Sequence, residues 1–180
     1  MLHRIISIRL ETRASFTKDT GRGNMENLTA EEVIQRYYKM VYRLAFARTG
    51  RREDAEEITQ EVFLRFLHKA PEFTSEEHRK AWLLRVTVNC CNSMLRSFWR
   101  RQVGELTEDV PFEEKEDLLL YRELQKLPEK YRQVIHLFYY EEMSVAEIAR
   151  LLHGKESTIR TQLTRARAML KEVLGDDYAF

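Results

Sequence analysis

Between Ser144 and Arg167 the chain runs SVAEIARLLHGKESTIRTQLTRAR. Ser144 and Glu147 stand at the spacing at which each side chain satisfies the other's free backbone N–H, so a helix should open at Val145 and run to Leu152. A tight turn containing Gly154 follows, and a second helix is expected from about Ser157 to Leu174, with Gly175 at its end. Ile148, Ala149 and Leu152 on the first helix would pack against Ile159, Leu163 and Ala166 on the second. A short capped helix, a turn and a longer basic helix is the sequence form of a helix-turn-helix. The opposite face of the second helix presents Arg160, Thr161, Gln162, Thr164, Arg165 and Arg167. Arg can grip a guanine edge with two donors, and Thr and Gln can hydrogen-bond bases or phosphates, so this face suits a DNA major groove. A charged helix packed on a bundle is the plainer alternative.

Upstream of this motif the chain also reads as helical. With only six Gly and three Pro in 180 residues, long helices are favoured over many short strands. Thr29 and Glu32 form another capping box, after which Val33, Tyr37, Met40, Val41 and Leu44 recur at helical spacing until Gly50. A second helix is expected from about Glu53 to Lys69, with Ile58, Val62, Phe63, Phe66 and Leu67 as its apolar stripe and Pro71 as its stop. A third runs from about Ser75 to Arg101, with Trp82, Val86, Asn89 and Leu95 along one face. Leu118–Leu127 should form a further helix, and Pro128 suits the first turn of the next, which ends near Glu142. Residues 1–24, whose stretch from Thr17 to Asn24 is turn-rich and polar, are expected to be a disordered extension.

The formal net charge of +1 conceals strong segregation. Glu76–Arg101 carries six basic residues against two acidic, Gly104–Asp117 one Lys against seven carboxylates, and Arg150–Lys171 six basic against one acidic. Two basic segments therefore flank an acidic one. Residues 103–117 read as a linker. The fourteen residues from Gly104 to Asp117 could reach about 46–50 Å if extended, beyond one DNA turn of about 34 Å. The expected fold class is all-α: two small helical domains, 25–102 and 118–180, joined by a flexible acidic linker.

Two surfaces in the first domain invite a functional reading. Arg79, Lys80, Arg85, Arg96, Arg100 and Arg101 are interleaved with Trp82, Phe98 and Trp99, pairing phosphate-neutralising charge with flat faces for unstacked bases. The segment from Glu53 to Phe63 is an acidic helix suited to docking in a basic protein groove. Enzymatic chemistry has little support. None of the five histidines has Glu three residues before it, as a helical carboxylate metal site prefers. Cys90 and Cys91 lack a second pair at zinc spacing and read as small buried residues. There is no nucleophile elbow, phosphate-binding Gly loop or dinucleotide fingerprint, and no cofactor or small-molecule substrate is expected. No apolar run approaches the ~20 residues of a membrane crossing, and adjacent cysteines make a poor secreted scaffold, so the cytoplasm is expected. A conventional helix-turn-helix regulator with a sensory or dimerising first half is one reading of these features.

Taken together, residues 28–174 resemble the extracytoplasmic-function (ECF) group of bacterial sigma factors, the promoter-recognition subunits of RNA polymerase. The motifs are DAEEITQEVF from Asp54, AWLLRVTVN from Ala81 with the basic stretch to Arg101, LPEKYR from Leu127, SVAEIA from Ser144 and TIRTQLTRAR from Thr158. The resemblance implies that Asp54, Glu57, Gln60, Glu61 and Phe63 face the clamp of the polymerase's largest subunit. It implies that residues 73–79, from Phe73 to Arg79, capture a flipped base of the −10 element with Lys80 and Asn89 nearby. Arg96, Arg100 and Arg101 would hold the DNA backbone. Thr158, Arg160, Thr161, Gln162, Thr164, Arg165 and Arg167 would engage the −35 element. It also implies a polymerase tunnel for the acidic linker and an inhibitory anti-sigma partner, often membrane-bound. Ser93, Gly154 and Gln162 depart from the family pattern, standing where an acidic, an apolar and an Arg residue are respectively common.

Overall fold

The computed structural model describes residues 28–98 and 124–174, which fall into two separate units. Every regular element among these residues is helical. The expected extension 1–24, the linker 103–117, most of the Leu118–Leu127 helix, and Trp99, Arg100 and Arg101 lie outside them.

The first unit is built from α1 (Ala30–Thr49), α2 (Arg52–Lys69) and α3 (Glu76–Phe98), each packed on the other two. The capping box of α1 forms as its spacing requires. Thr29 N–H donates to Glu32 Oε2 at 2.7 Å and Glu32 N–H donates to Thr29 Oγ1 at 3.3 Å. These bonds to Thr29 hold the Glu32 carboxyl below the ordinary carboxylate range. Gly50 closes the helix in the left-handed region, φ 72°, where a side chain would be strained, and its N–H donates to Phe46 O at 2.8 Å. No side chain caps α2, but Glu53 and Asp54 in its first turn complement the helix dipole. Ser75 Oγ accepts from His78 N–H at 3.1 Å at the start of α3.

Val33, Val41, Leu44, Ala55, Ile58, Val62, Leu83, Leu84, Val88 and Cys91 fill the core. The buried Thr59 and Thr87 return their hydroxyls to Ala55 O and Leu83 O, at 2.7 and 2.8 Å, which leaves neither donor unsatisfied. Two expectations are corrected here. The buried face of α3 is Leu83, Leu84, Thr87, Val88, Cys90 and Cys91, not Trp82, Val86, Asn89 and Leu95. Because α3 packs on two neighbours, its buried stripe is broad and lies one residue on from the Trp82 row; Asn89 is exposed. Leu67 is 52% exposed rather than part of the α2 stripe. Both cysteines are buried thiols, and burial pushes the Cys90 thiol up from its ordinary value.

The second unit contains α4 (Glu129–Ile135), a π-helical continuation (His136–Tyr140), α5 (Val145–Leu151) and α6 (Glu156–Leu174). Pro128 stands just outside α4 at its N-cap rather than within the first turn. Where one α-helix is expected up to Glu142, the ladder widens, and Glu141 N–H donates to His136 O at 3.3 Å. His136 is fully buried and stacks on Tyr140, with ring centroids 5.2 Å apart. The Ser144 capping box forms: Ser144 N–H donates to Glu147 Oε2 at 2.8 Å, and Glu147 N–H to Ser144 Oγ at 3.3 Å.

The turn from α5 to α6 differs from the expectation in detail. His153, not Gly154, takes the positive φ of 53°. Gly154 N–H donates to Ala149 O at 2.8 Å and His153 N–H to Arg150 O at 3.5 Å, the paired bonds that close a helix through a left-handed residue. Leu151 is buried where Leu152 is expected, because α6 lies against the row of Ile148, Leu151 and the small Ala149. Ile159, Leu163, Ala166 and Leu170 supply the facing row from α6.

Candidate nucleic-acid and protein-docking surfaces

The buried row of α6 fixes which residues turn outward. Ser157, Thr158, Arg160, Thr161, Thr164 and Arg165 are all exposed. Thr161 and Thr164 donate their hydroxyls to Ser157 O and Arg160 O, at 2.9 and 3.0 Å, so their oxygens face outward chiefly as acceptors. Arg160 Nη2 pairs with Glu156 Oε2 at 2.7 Å, a solvent-exposed ion pair of small net worth that a stronger anion can displace. Gln162 is half-buried, with Oε1 closed off from solvent. Arg167 is removed from the reading face. Its Nε donates to Tyr139 Oη at 2.9 Å and its guanidinium lies 5.5 and 5.7 Å from the Phe138 and Tyr139 ring centroids. It braces α6 against the π-helical turn, because its position on the helix points back toward those rings.

On α2, Glu57 and Gln60 are exposed and Glu61 is held by Arg65 Nε at 2.6 Å. Partial burial raises the Asp54 carboxyl, an effect that nearby Arg51 opposes. Phe63, only 6% exposed and stacked 6.4 Å from Tyr38, lies on the buried Thr59 side of the helix. Two apolar residues absent from the sequence-derived site are exposed on this helix. Leu64 and Leu67, 50% and 52% exposed, lie beside Gln60 on the outward face. A groove of about 430 Å³ between α2 and α3 is lined by Glu57, Gln60, Glu61, Leu64, Ser93 and Met94, among others. Carboxylates around half-exposed leucines form a surface suited to a basic and apolar partner.

The third surface follows α2. Phe73 is half-buried in an aromatic cluster, 6.3 Å from Phe66, 5.8 Å from Trp82 and 5.5 Å from His78. Arg79 is 4% exposed, paired with Glu76 at 2.5 Å and 5.5 Å from the Phe73 ring centroid. The same Glu76 accepts from the Tyr37 hydroxyl and lies 3.6 Å from Arg36. That hydroxyl is consequently raised far above its ordinary value, by burial first and then by the bond to Glu76. Arg79 is thus a buried guanidinium paired with Glu76 at the start of α3. Lys80 is half-buried, while Arg85, Asn89 and Arg96 remain on the exposed side of α3.

A family model described as Sigma-70 region 2 matches residues 33–101, and one described as Sigma-70, region 4 matches residues 117–170. The chain belongs to the sigma-70 family, with its two units corresponding to those two regions. Within that family it falls in the ECF group. It is 30% identical over 158 residues to the ECF RNA polymerase sigma factor SigE of Mycolicibacterium smegmatis, an alignment covering 81% of this chain and 61% of SigE. It is 27% identical over 165 residues to the ECF RNA polymerase sigma factor SigW of Bacillus subtilis, covering 81% and 88% of the two chains. The sigma factor RpoE of Bartonella quintana, solved in complex with the anti-sigma factor NepR, shares the fold at a TM-score of 0.70 and 21% identity, covering 82% of this chain and 98% of RpoE. CnrH, solved with the cytosolic domain of CnrY, does so at 0.54 and 22%, covering 95% and 97%.

Proposed function

We propose that this chain is an ECF sigma factor that binds core RNA polymerase, recognises the −35 and −10 promoter elements and directs transcription initiation. The observation that carries this reading is the outward row of Thr158, Arg160, Thr161, Thr164 and Arg165 on the second helix of a helix-turn-helix. In this reading 118–180 is the −35 domain, 25–102 the polymerase and −10 domain, 103–117 the connector and 1–24 an extension. Asp54, Glu57, Gln60, Glu61, Leu64 and Leu67 dock on the clamp of the largest subunit. Asn89, Lys80 and Arg96, with Arg100 and Arg101 beyond the described residues, hold the −10 strand.

The protein acts through binding rather than catalysis. Trapping an unstacked base on the first domain offsets the few kcal/mol, roughly, that unpairing and flipping it costs. The protein works in the cytoplasm and is held inactive by an anti-sigma partner, a reading supported by the anti-sigma complexes of both RpoE and CnrH. CnrH was solved with a cytosolic domain of its partner, which supports an anchor at the membrane. A conventional regulator with a sensory first half is not favoured, because that half matches the Sigma-70 region 2 model.

In vitro transcription with core polymerase tests the proposal. Promoter-specific transcripts should depend on this protein; a protein-independent transcript pattern on every cognate template would refute it.

A further inference from the structure

Glu76 opens α3 and draws donors from two helices onto one carboxylate. From α1, the Tyr37 hydroxyl donates to Oε1, and Arg36 Nη1 lies 3.6 Å from the same oxygen. From its own helix, Arg79 Nη1 donates to Oε2 at 2.5 Å. Tyr37 and Arg79 are both buried. The Arg79 guanidinium also lies 5.5 Å from the centroid of the Phe73 ring, within cation–π range. Phe73 stands in the segment 70–75 that joins α2 to α3, and the neighbouring Thr74 N–H donates to His78 Nδ1 at 3.4 Å. Contacts thus run without a break from α1 through Glu76 and Arg79 to the half-buried ring of that segment.

The chain of contacts has a consequence for the ring. Residues 71–75 form no regular element, so the direction of Phe73 depends on the side chains packed around it. An unstacked base gains from an aromatic side chain by lying on its face, and that gain requires the face to point the right way. A carboxylate accepts at both oxygens at once, which lets Glu76 hold Tyr37 with one and Arg79 with the other. An amide of the same shape accepts at one oxygen and would have to release one of these donors. Because Tyr37 belongs to α1, the carboxylate is fixed relative to the whole unit rather than to α3 alone.

We propose that Glu76 is a positioning residue for −10 recognition, holding Arg79 against Phe73 so that the ring presents a fixed face to the flipped base. Glu76 acts through Arg79 and needs no contact with the strand. The inference rests on the −10 reading of the first unit given above, in which the segment from Phe73 captures that base.

The test uses the full chain bound to core polymerase, titrated against a single-stranded −10 oligonucleotide and a set carrying single base changes. Glu76→Gln should lower discrimination at the flipped base by about 5- to 30-fold, the scale of a cation–π contact at a desolvated ring. Affinity for a strand without the −10 sequence should not fall, because the substitution removes a negative charge from a surface that meets phosphates. In a Phe73→Ala background the same substitution should change nothing further. If Glu76→Gln shows no cooperative melting, Tyr37→Phe, which keeps the buried ring and removes one bond to the carboxylate, is read by the same criteria. Discrimination within twofold of wild type, an equal loss in the Phe73→Ala background, or a matching loss of affinity for the unrelated strand would overturn the proposal. A wild-type complex blind to the base changes, or a Phe73→Ala complex that still reads them in full, would instead overturn the −10 reading itself.

Discussion

Replacing Leu64 and Leu67 together by Gln should weaken binding to core polymerase by about 10- to 150-fold while leaving the fold intact. Full burial of a Leu side chain is worth about 1.5–3 kcal/mol. Leu64 and Leu67 already bury about half of their surface within the chain, being 50% and 52% exposed. The half that a partner can still cover is worth roughly 0.8–1.5 kcal/mol each. For the pair this is roughly 1.5–3 kcal/mol, and each 1.4 kcal/mol is about tenfold in affinity. Gln retains the stem length and a helix propensity close to that of Leu, so each change should cost the fold no more than about 0.5 kcal/mol. The assay is competition of labelled chain against unlabelled variants for core polymerase, with the melting temperature measured in parallel. Affinity within twofold of wild type, with melting unchanged, would show that the half-exposed leucines are ordinary surface and that the docking face lies elsewhere.

Three further outcomes follow from local geometry. Ser144→Ala removes the capping box of α5 and should destabilise the second unit by about 1 kcal/mol. Both tryptophans, Trp82 and Trp99, lie in the first half, so the loss should appear in far-UV circular dichroism and not in Trp fluorescence; coincident shifts would mean the units melt together. Gly154→Ala should stabilise the second unit by about 0.4–1 kcal/mol, because Gly154 is not among the positive-φ residues and its new methyl would rest 3.8 Å from Ile159 Cδ1; a lower melting temperature would refute this. Burial raises the Cys90 thiol above its ordinary value, so the stability tied to that group is complete below the usual thiol range and falls as pH climbs through the raised value. Thiol-reagent modification at pH 8 should therefore wait on unfolding, and rapid labelling of the folded chain would contradict the burial.

Features set by neighbouring residues were legible in advance. Both capping boxes, Thr29 with Glu32 and Ser144 with Glu147, depend on three-residue spacings, and both form. The helix-turn-helix and the all-helical class follow from the same local rules. What depended on packing was not legible. The apolar rows of α3 differ by one residue, and only contact with both α1 and α2 selects Leu83 and Leu84 over Trp82. Phe63 and Arg79 carry side-chain types suited to a binding surface, yet one stacks under Tyr38 and the other is buried on Glu76. Conversely, Leu64 and Leu67 look like core residues and are not, since their helix buries only the side centred on Ile58, Thr59 and Val62. The π-helical turn leaves no signature in apolar periodicity, and neither does the choice of His153 over Gly154 for the left-handed position.

The central claim is that recognition of a start site is shared between this chain and the polymerase that carries it. Footprinting one promoter duplex with the chain alone, with core polymerase alone and with the two combined tests this most directly. Protection of both elements, with strand opening over the upstream edge of the −10 element, should occur only in the mixture. Equal protection by the chain alone, or none in the mixture, would contradict the account.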